Sequence, residues 1–268
     1  MPSSITSFWS RKSVLITGAS SGLGWALTEA LAPYNIHFCL LARREVEMRQ
    51  LAEKLHSSGS RFWIRACDVR DRGAVERVVK DFANASGRLD AAWVNSGIGG
   101  ETSRRKWDWD FVERMIDTNL KGALYTSRVC LELMAQQKHG ALAGICSAAS
   151  LRGMPARGIY SATKIALAYY LEAVAPEYPE LQITVIHPGF VDTPINRGNP
   201  NRIFLMTSER AAEIMIRAVA RGKRKCIYPW QMNLIYRVVQ ALPDGIWHPL
   251  AKRLVHVAQT GSIRAKQR

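Results

Sequence analysis

The feature that most constrains the fold is a short apolar run near the amino terminus that ends in a glycine-rich turn. The run from Ser13 to Thr17 has the composition of a strand. The turn that follows contains Gly18, Gly22 and Gly24, and apolar residues then recur at helical spacing. Glycines let a backbone approach a pyrophosphate, and the free N–H groups at a helix amino terminus attract its charge. The stretch therefore predicts the strand, turn and helix that open a dinucleotide-binding βαβ unit.

Strand and helix patterns alternate along most of the remaining chain. Strands are predicted at residues 36–41, 62–66, 89–94, 141–146, 183–186 and 225–228. Amphipathic helical patterns lie between them, and the longest is predicted over residues 108–137. Strands separated by helices form a parallel sheet with helices on both faces. Because no repeat, low-complexity tract or linker interrupts the pattern, we predict one doubly wound α/β domain of the Rossmann type over residues 1–268.

Two arginines follow the second predicted strand. In a dinucleotide fold an acidic residue near this place holds the ribose 2′-hydroxyl of NAD, and none is present. Arg43 and Arg44 are suited instead to a 2′-phosphate. The alternative is that both are solvated residues at the start of a helix. The sequence favours NADP(H) over NAD(H).

A tyrosine and a lysine are spaced for proton transfer. On a helix, Tyr160 and Lys164 lie one turn apart on the same face. A nearby ammonium is expected to lower the tyrosine pKa from about 10, so that the phenol exchanges a proton with a carbonyl or alcohol oxygen near neutral pH. Ser147, thirteen residues upstream at a predicted strand end, could hold the same oxygen. Taken alone, the pattern is also typical of a solvated helix face.

These residues belong to a larger ordered set of motifs. The set consists of Thr17-Gly18-x-x-x-Gly22-x-Gly24, Asn95-Ser96-Gly97, Asn119, Ser147, Tyr160-x-x-x-Lys164 and Pro188-Gly189-x-x-x-Thr193. In this order and spacing it resembles the short-chain dehydrogenase/reductase family over roughly residues 11–195. The chain departs from the family pattern at Val94 and Ser96, and again at Cys146, without losing a chemical role.

The resemblance implies a role for each member of the set. Tyr160 would be the general acid/base, and Lys164 would bind the nicotinamide ribose and lower the tyrosine pKa. Ser147 would orient the substrate oxygen, and Asn119 would anchor a water of the proton relay. The residues expected to bind the cofactor are Gly18, Ser20, Ser21, Gly22, Leu23, Gly24, Arg43, Asp68, Val69, Asn95, Tyr160, Lys164, Pro188, Gly189, Val191 and Thr193.

The function implied is that of an NADP(H)-dependent oxidoreductase that interconverts a ketone or aldehyde and the corresponding alcohol. The helix over residues 108–137 and the helix around Tyr160 would each pair with the same helix of another subunit in a homodimer or homotetramer. Because a fold does not fix a function, a non-catalytic nucleotide-binding or scaffold protein is the alternative. A nucleic-acid binder is the least favoured class, since the chain carries no recognised binding motif.

Two regions are expected to shape the substrate site. Residues 199–206 mix proline, polar and apolar side chains, as a substrate-covering loop does. The residues predicted to form an apolar pocket are Leu151, Met154, Phe190 and Phe204. The core of the family normally ends near residue 230, so we place the core at about residues 11–229 and a helical extension at about residues 230–268.

The extension is both apolar and basic. Residues 197–268 contain 14 lysines and arginines against 3 acidic residues, which accounts for most of the formal charge of +15. Helices are predicted over residues 230–242 and 249–258. The broad apolar face of the first consists of Trp230, Leu234, Ile235, Val238, Val239 and Leu242. Such a helix, flanked by cations, is typical of peripheral contact with an anionic membrane, but it could equally pack on the domain or on another subunit.

The remaining composition predicts a cytoplasmic protein without a metal site. Five cysteines lie singly, so we expect buried thiols in a reducing compartment. No signal peptide or membrane-spanning run is recognisable. If the protein contacts a membrane, we expect it to be peripheral, on the inner membrane surface. His187 precedes a proline-glycine turn and is expected to be structural.

Overall fold

The computed structural model describes residues 2–196 and 202–253, and its centre is a seven-stranded parallel sheet. The strands are β1 (Ser13–Thr17), β2 (His37–Ala42), β3 (Arg61–Ala66), β4 (Ala91–Val94), β5 (Ala141–Ile145), β6 (Gln182–Pro188) and β7 (Lys225–Tyr228). Their order across the sheet is β3-β2-β1-β4-β5-β6-β7, and all neighbours are parallel. The chain changes direction across the sheet between β1 and β4, which is where such sheets bind their ligands. The predicted doubly wound fold is confirmed.

Helices cover both faces of this sheet. They are α1 (Pro2–Trp9), α2 (Gly22–Leu31), α3 (Glu45–Lys54), α4 (Arg72–Ser86), α5 (Trp109–Ile116), α6 (Gly122–Gln137), α7 (Gly158–Val174), α8 (Ser208–Ala220) and α9 (Trp230–Ala241). Residues 244–253 form a further helix, α10.

Each face of the sheet carries its own apolar core. Along β1, Val14 and Ile16 belong to the core shared with α2 and α8, whereas Leu15 belongs to the core shared with α4, α6 and α7. The alternation follows from strand geometry, in which successive side chains point to opposite faces. Because both faces are covered, the three central residues of β1 are all apolar, without the polar alternation of a strand that is exposed on one face.

The long helix predicted over residues 108–137 is present with one interruption. Asp108 caps its start by accepting a hydrogen bond from the backbone N–H of Phe111 at 3.3 Å. A π-helical turn, Asp117–Lys121, separates α5 from α6 and carries Asn119. Turns of this kind often occur at functional positions. The asparagine, a poor residue for a regular helix interior, therefore lies where the helix is irregular.

The sequence pattern does not predict α1, yet its last residue is part of the core. Trp9 is fully buried and stacks on Trp93 with the ring centroids 6.0 Å apart. Its indole N–H donates to the carbonyl of Ile216 at 3.3 Å. The folded core therefore begins before residue 11, the boundary expected from the resemblance.

Several global expectations can be compared with the structure directly. All five cysteines are free and buried, as expected. Within the described residues, no helix is long and apolar enough to cross a membrane, and no three potential metal ligands cluster. The short helix predicted over residues 249–258 is found at residues 244–253, and its predicted end lies outside the described residues. So does part of the predicted covering loop, residues 199–201.

Candidate active site

A cleft of about 2300 Å³ lies along the carboxyl-terminal edge of the sheet. One part of its lining is the glycine turn after β1, together with residues that follow β2 and β3. Another part comes from the loops after β5 and β6 and from α9 and α10. Because Arg43 and Tyr160 line the same continuous space, an extended dinucleotide and a substrate could share it.

The turn after β1 requires glycine for steric reasons. A Cβ atom on Gly24 would lie 2.3 Å from the carbonyl oxygen of Gly18, so no side chain fits there. Gly18 itself has a φ of 69°, in the left-handed region that favours glycine. The tight turn brings the free N–H groups at the start of α2 to the edge of the cleft. This backbone fits the pyrophosphate of a dinucleotide, as the sequence predicts.

Arg43 and Arg44 differ in their contacts. The Arg44 guanidinium donates hydrogen bonds to Ser20 Oγ at 3.1 Å and to Ser21 Oγ at 2.9 Å. It also lies 3.4 Å from a carboxylate oxygen of Glu47. Arg43 is exposed and lines the cleft, and it makes no hydrogen bond or ion pair with the residues that the structure describes. Arg44 therefore braces the glycine turn, whereas the guanidinium of Arg43 is exposed to the cleft.

Two further cofactor candidates are held by hydrogen bonds. Asp68 pairs with Arg70 at an N–O distance of 2.7 Å, and this contact lowers the pKa of the Asp68 carboxyl. Asn95 donates its Nδ2 to the carbonyl of Thr17 at 2.8 Å, and its backbone N–H donates to the Thr17 hydroxyl at 2.9 Å. The Asn95 bonds join the ends of β1 and β4. The other predicted cofactor residues that line the cleft are Val69, Pro188, Gly189, Val191 and Thr193.

Tyr160 and Lys164 lie one turn apart on α7, and both are buried. Burial raises the pKa of the Tyr160 phenol and outweighs the opposite effect of the neighbouring Ser147 hydroxyl. Burial also lowers the pKa of Lys164, whose Nζ donates to the carbonyl of Ile145 at 2.9 Å. The expectation that the lysine lowers the tyrosine pKa is therefore wrong for this structure, because desolvation of the phenol dominates. The phenol is protonated at neutral pH.

Asn119 fixes the loop after β4 from within the π turn. Its Oδ1 accepts from the backbone N–H of Ile98 at 2.8 Å, and its Nδ2 donates to the Ile98 carbonyl at 2.9 Å. The same Nδ2 lies 3.3 Å from the hydroxyl of Thr163 on α7. The fully buried amide thus ties this loop to the helix that carries the tyrosine. Its role in holding a relay water stays a prediction.

His187 lies behind the serine loop and is fully buried. Its Nδ1 is 3.1 Å from the carbonyl oxygen of Ser147 and 3.1 Å from the hydroxyl of Ser150. Burial lowers its pKa to about 4, so the ring is neutral near pH 7. The histidine supports the loop and is not among the residues that line the cleft, which agrees with the structural role expected for it.

The predicted apolar pocket is only partly correct. Met154 and Phe190 line the cleft. Leu151 does not, because its side chain packs against α9. Phe204 is also outside the lining, in a turn where 47% of its surface is exposed. Both residues lie in connecting segments, and the sequence does not specify the direction in which their side chains point.

The C-terminal extension supplies apolar residues of the site that the sequence pattern does not identify. The residues of α9 and α10 that line the cleft are Met232, Ile235, Tyr236, Val239, Trp247, Leu250 and Lys252. Tyr236 is almost fully buried, and the nearby Tyr160 adds to burial in raising the pKa of its phenol. The only sequence signal for this wall is the apolar face of α9, which indicates packing but not the surface packed against.

One arginine holds the extension in place. Nη1 of Arg152 donates to the carbonyls of Val239 and Leu242, both at 2.8 Å. Nη2 lies 2.8 Å from the carboxylate of Asp244, and the guanidinium carbon is 4.9 Å from the centre of the Trp247 ring. A cation suits this place because the last carbonyls of a helix have no partners within it. We call these four contacts the Arg152 latch.

Comparison with known proteins agrees with this geometry. The model of the short chain dehydrogenase family matches residues 12–202. The chain belongs to the short-chain dehydrogenase family. An uncharacterised oxidoreductase from Myxococcus xanthus is 31% identical over 248 residues, which cover 91% of this chain and 98% of that protein.

Two other similar proteins are worth naming. A 3β-hydroxysteroid dehydrogenase from Mediterraneibacter gnavus is 31% identical over 206 residues, covering 75% of this chain and 74% of that protein. A short chain dehydrogenase/reductase from Burkholderia phymatum, solved in complex with NAD, has the same fold, with a TM-score of 0.79 at 20% identity over 85% of this chain and 92% of that chain.

Membership in the short-chain dehydrogenase family identifies the chain as an oxidoreductase and assigns it to a family that uses nicotinamide cofactors. The match includes Asn119, Ser147, Tyr160 and Lys164 and ends at residue 202. The wall contributed by α9 and α10 therefore lies beyond the part of the chain that the family model describes.

Proposed function

We propose that the protein is an NADP(H)-dependent oxidoreductase that interconverts a ketone or aldehyde and the corresponding alcohol. The observation that carries this proposal is a single cleft in which Ser147, the buried Tyr160 phenol and Lys164 are continuous with the glycine turn. The family supports the reaction class. The presence of all three side chains in one cleft argues against a non-catalytic scaffold.

In the reduction direction, the residues of the chain bind and protonate the carbonyl oxygen. The bound nicotinamide would supply the hydride. Ser147 Oγ accepts a hydrogen bond from the backbone N–H of Ala149 at 3.1 Å, which leaves its own proton to donate to the substrate oxygen. Tyr160, kept protonated by burial, donates the proton that completes the alcohol. Lys164 would hold the nicotinamide ribose.

This scheme gives the two directions opposite pH dependences. Reduction needs the protonated Tyr160 phenol, so kcat/KM falls as the pH rises through its pKa, which burial raises. Oxidation needs the phenolate, so kcat/KM for the alcohol rises over the same range. The measurement is kcat/KM for a ketone and for its alcohol between about pH 7 and about pH 12, because the ordinary tyrosine pKa is already about 10. Profiles that rise or fall together would contradict the assignment.

The preference for NADP(H) rests on Arg43. No acidic residue stands at the end of β2, where one would hold a 2′-hydroxyl. The exposed Arg43 guanidinium lines the cleft there, and a guanidinium pairs well with a phosphate. We therefore assign the contact with the 2′-phosphate to Arg43 and not to Arg44, which is already engaged with the glycine turn.

The substrate is expected to be largely apolar. Side chains that line the cleft near Tyr160 include Met154, Phe190, Met232, Ile235 and Val239. A relative that is 31% identical is named a 3β-hydroxysteroid dehydrogenase, which is a name for an enzyme acting on a secondary alcohol of an apolar skeleton. These observations favour secondary alcohols and ketones on apolar frameworks over small polar sugars.

The test of the proposed function is an NADPH-oxidation screen across ketones, aldehydes, steroids and acyl-thioesters. We expect turnover with at least one apolar ketone or aldehyde, and no turnover of the same compound by Tyr160→Phe. NADPH binding without turnover across the whole panel would favour the non-catalytic alternative.

A homodimer or homotetramer is the assembly we propose. By analogy with the family, the long helix made of α5 and α6 would pair with the same helix of another subunit, and so would α7. Exposed aromatic side chains support this, since Trp109 on α5 and Tyr169 on α7 are each 65% exposed. Light scattering should give a multiple of the 30.0 kDa chain mass, and Tyr169→Glu should lower it. A monomer at micromolar concentration would contradict the proposal.

A further inference from the structure

The outer side of the C-terminal extension exposes large apolar side chains. We call the exposed apolar residues of α9 and α10 the outer apolar face; they are Trp230, Leu234, Val238, Ile246 and Leu250. The three on α9 are 71%, 59% and 55% exposed. Single exposed apolar residues are common on proteins, but a row of them marks a binding surface.

Helical spacing sets this face apart from the wall of the cleft. On α9, Trp230, Leu234 and Val238 recur every four residues and so share one side of the helix. Met232 and Tyr236 lie on the other side and are buried. The apolar circumference of α9 is therefore divided between a covered side and an uncovered one. The structure is therefore compatible with both predictions for this helix: its covered side packs on the domain, and its uncovered side is available for contact with a membrane.

The segment of the chain that carries the outer apolar face is basic. Within residues 221–253 the cationic side chains are Arg221, Lys223, Arg224, Lys225, Arg237, Lys252 and Arg253. The one acidic residue of that range, Asp244, is paired with Arg152. Arg237 lies beside the α9 row, and Arg253 shares a surface groove with Ile246 and Leu250. Apolar and cationic residues therefore occur together along α9 and α10, whereas Lys225 lies on β7 and is paired with Glu172.

We propose that the outer apolar face docks on an anionic lipid surface. A helix that lies in a membrane interface carries tryptophan and aliphatic residues on one face and lysine or arginine beside them. The cations would contact lipid headgroups while the apolar row enters the acyl boundary. Charge favours this occupant over a second copy of the chain, since two such faces would bring like charges together. A nucleic acid would use the cations but not the apolar row.

The Arg152 latch makes the docking geometry specific. It fixes the carboxyl end of α9 on the loop after β5, so the outer apolar face is presented on an anchored helix. Leu250 belongs both to this face and to the lining of the cleft. Docking would therefore bring one edge of the cleft next to the lipid surface.

Vesicle co-sedimentation of the full-length protein tests this proposal. Neutral vesicles contain phosphatidylcholine alone, and anionic vesicles contain phosphatidylglycerol as well. We expect sedimentation with anionic vesicles at low salt, weaker binding as the salt rises to about 0.5 M, and little binding to neutral vesicles. No sedimentation with anionic vesicles at low salt, or equal binding to both vesicle types, would overturn the proposal.

Two matched variants separate the outer apolar face from total charge. Val238→Glu should lower the partition onto anionic vesicles by at least about tenfold, because it removes apolar contact and adds a repelled charge. Val46→Glu makes the same change at a 65% exposed valine on α3 and should leave the partition within about twofold. Equal loss in both variants would show that net charge alone drives binding and would contradict docking by this face.

Two controls keep the result interpretable. Thermal unfolding should match the wild type in both variants, and NADPH binding should match it in Val238→Glu. Trp230→Gln replaces Val238→Glu if the latter is destabilised. Light scattering without lipid tests the competing occupant. If Val238→Glu dissociates an oligomer while the wild type fails to bind vesicles, the face is a subunit interface and the proposal is wrong.

Discussion

The cofactor end of the cleft is shaped by close backbone contacts, whereas the wall at the substrate end is fastened by side-chain contacts between segments far apart in the chain. At the first, Gly24 packs so closely on Gly18 that a Cβ atom would lie 2.3 Å from its carbonyl oxygen. At the second, α9 and α10 are fastened by Arg152 through residues about ninety positions away in the chain. No residue with a side chain fits at Gly24, whereas we expect that α9 and α10 can detach from the cleft without a change in the sheet.

The contacts of the Arg152 latch are unequal in strength. Asp244 is 81% exposed, so its ion pair with the guanidinium is screened by water and contributes about 1 kcal/mol at most. The two bonds to helix-end carbonyls are made by an arginine only 16% exposed, and hydrogen bonds to a charged group typically contribute about 1.5–3 kcal/mol. The carbonyl bonds therefore contribute more to the Arg152 latch than the ion pair does.

The largest expected effect lies where the two ends meet. Tyr160→Phe should lower turnover by roughly two to four orders of magnitude, because it removes the proton donor, while the Kd for NADPH stays nearly unchanged. Tyr236→Phe is the matched control, since it removes a second buried phenol in the same cleft and should cost less than about tenfold. Steady-state kinetics on a compound found in the screen, with NADPH titration, measures both. Wild-type turnover in Tyr160→Phe would show that the catalytic assignment is wrong.

Loosening the wall should affect the substrate and spare the cofactor. Arg152→Met removes the bonds to the α9 carbonyls, and kcat/KM for an apolar substrate should fall roughly tenfold to a hundredfold as the wall detaches. NADPH affinity should change less than about twofold. Arg210→Met, which removes an exposed arginine paired with Glu213 on α8, serves as the control and should have no effect on either quantity. Weaker NADPH binding in Arg152→Met would mean that the wall also supports the cofactor.

A substitution at the cofactor end should affect binding of the cofactor. Arg43→Asp should weaken NADPH binding by at least about tenfold and narrow or invert the preference over NADH, because it replaces the guanidinium proposed to meet the 2′-phosphate. Binding of both cofactors is measured by fluorescence titration. Arg72→Asp, an exposed arginine at the start of α4, controls for the charge change. Equal wild-type Kd values for NADPH and NADH would rule out the preference.

The same contrast explains what the sequence could predict. Glycine at residues 18 and 24, the strand–helix alternation and the Tyr160–Lys164 spacing all follow local rules of backbone geometry. The sequence could therefore predict the fold and the edge of the sheet at which these residues lie. The sequence pattern does not identify Trp9, Tyr236 or Arg152 as core or site residues, because their roles depend on contacts between segments far apart in the chain. The sign of the Tyr160 pKa shift was wrong for a related reason, since burial is a property of the assembled fold.

The most direct test of independent construction at the two ends is a double-mutant cycle of Arg43→Asp and Arg152→Met. Kd for NADPH and kcat/KM at saturating NADPH are measured in the wild type, both single variants and the double variant. The account predicts that Arg43→Asp changes only the first quantity and Arg152→Met only the second, with effects in the double variant that combine within about 0.5 kcal/mol. A coupling energy well above that value would show that the wall and the cofactor site are one unit, and would contradict the account.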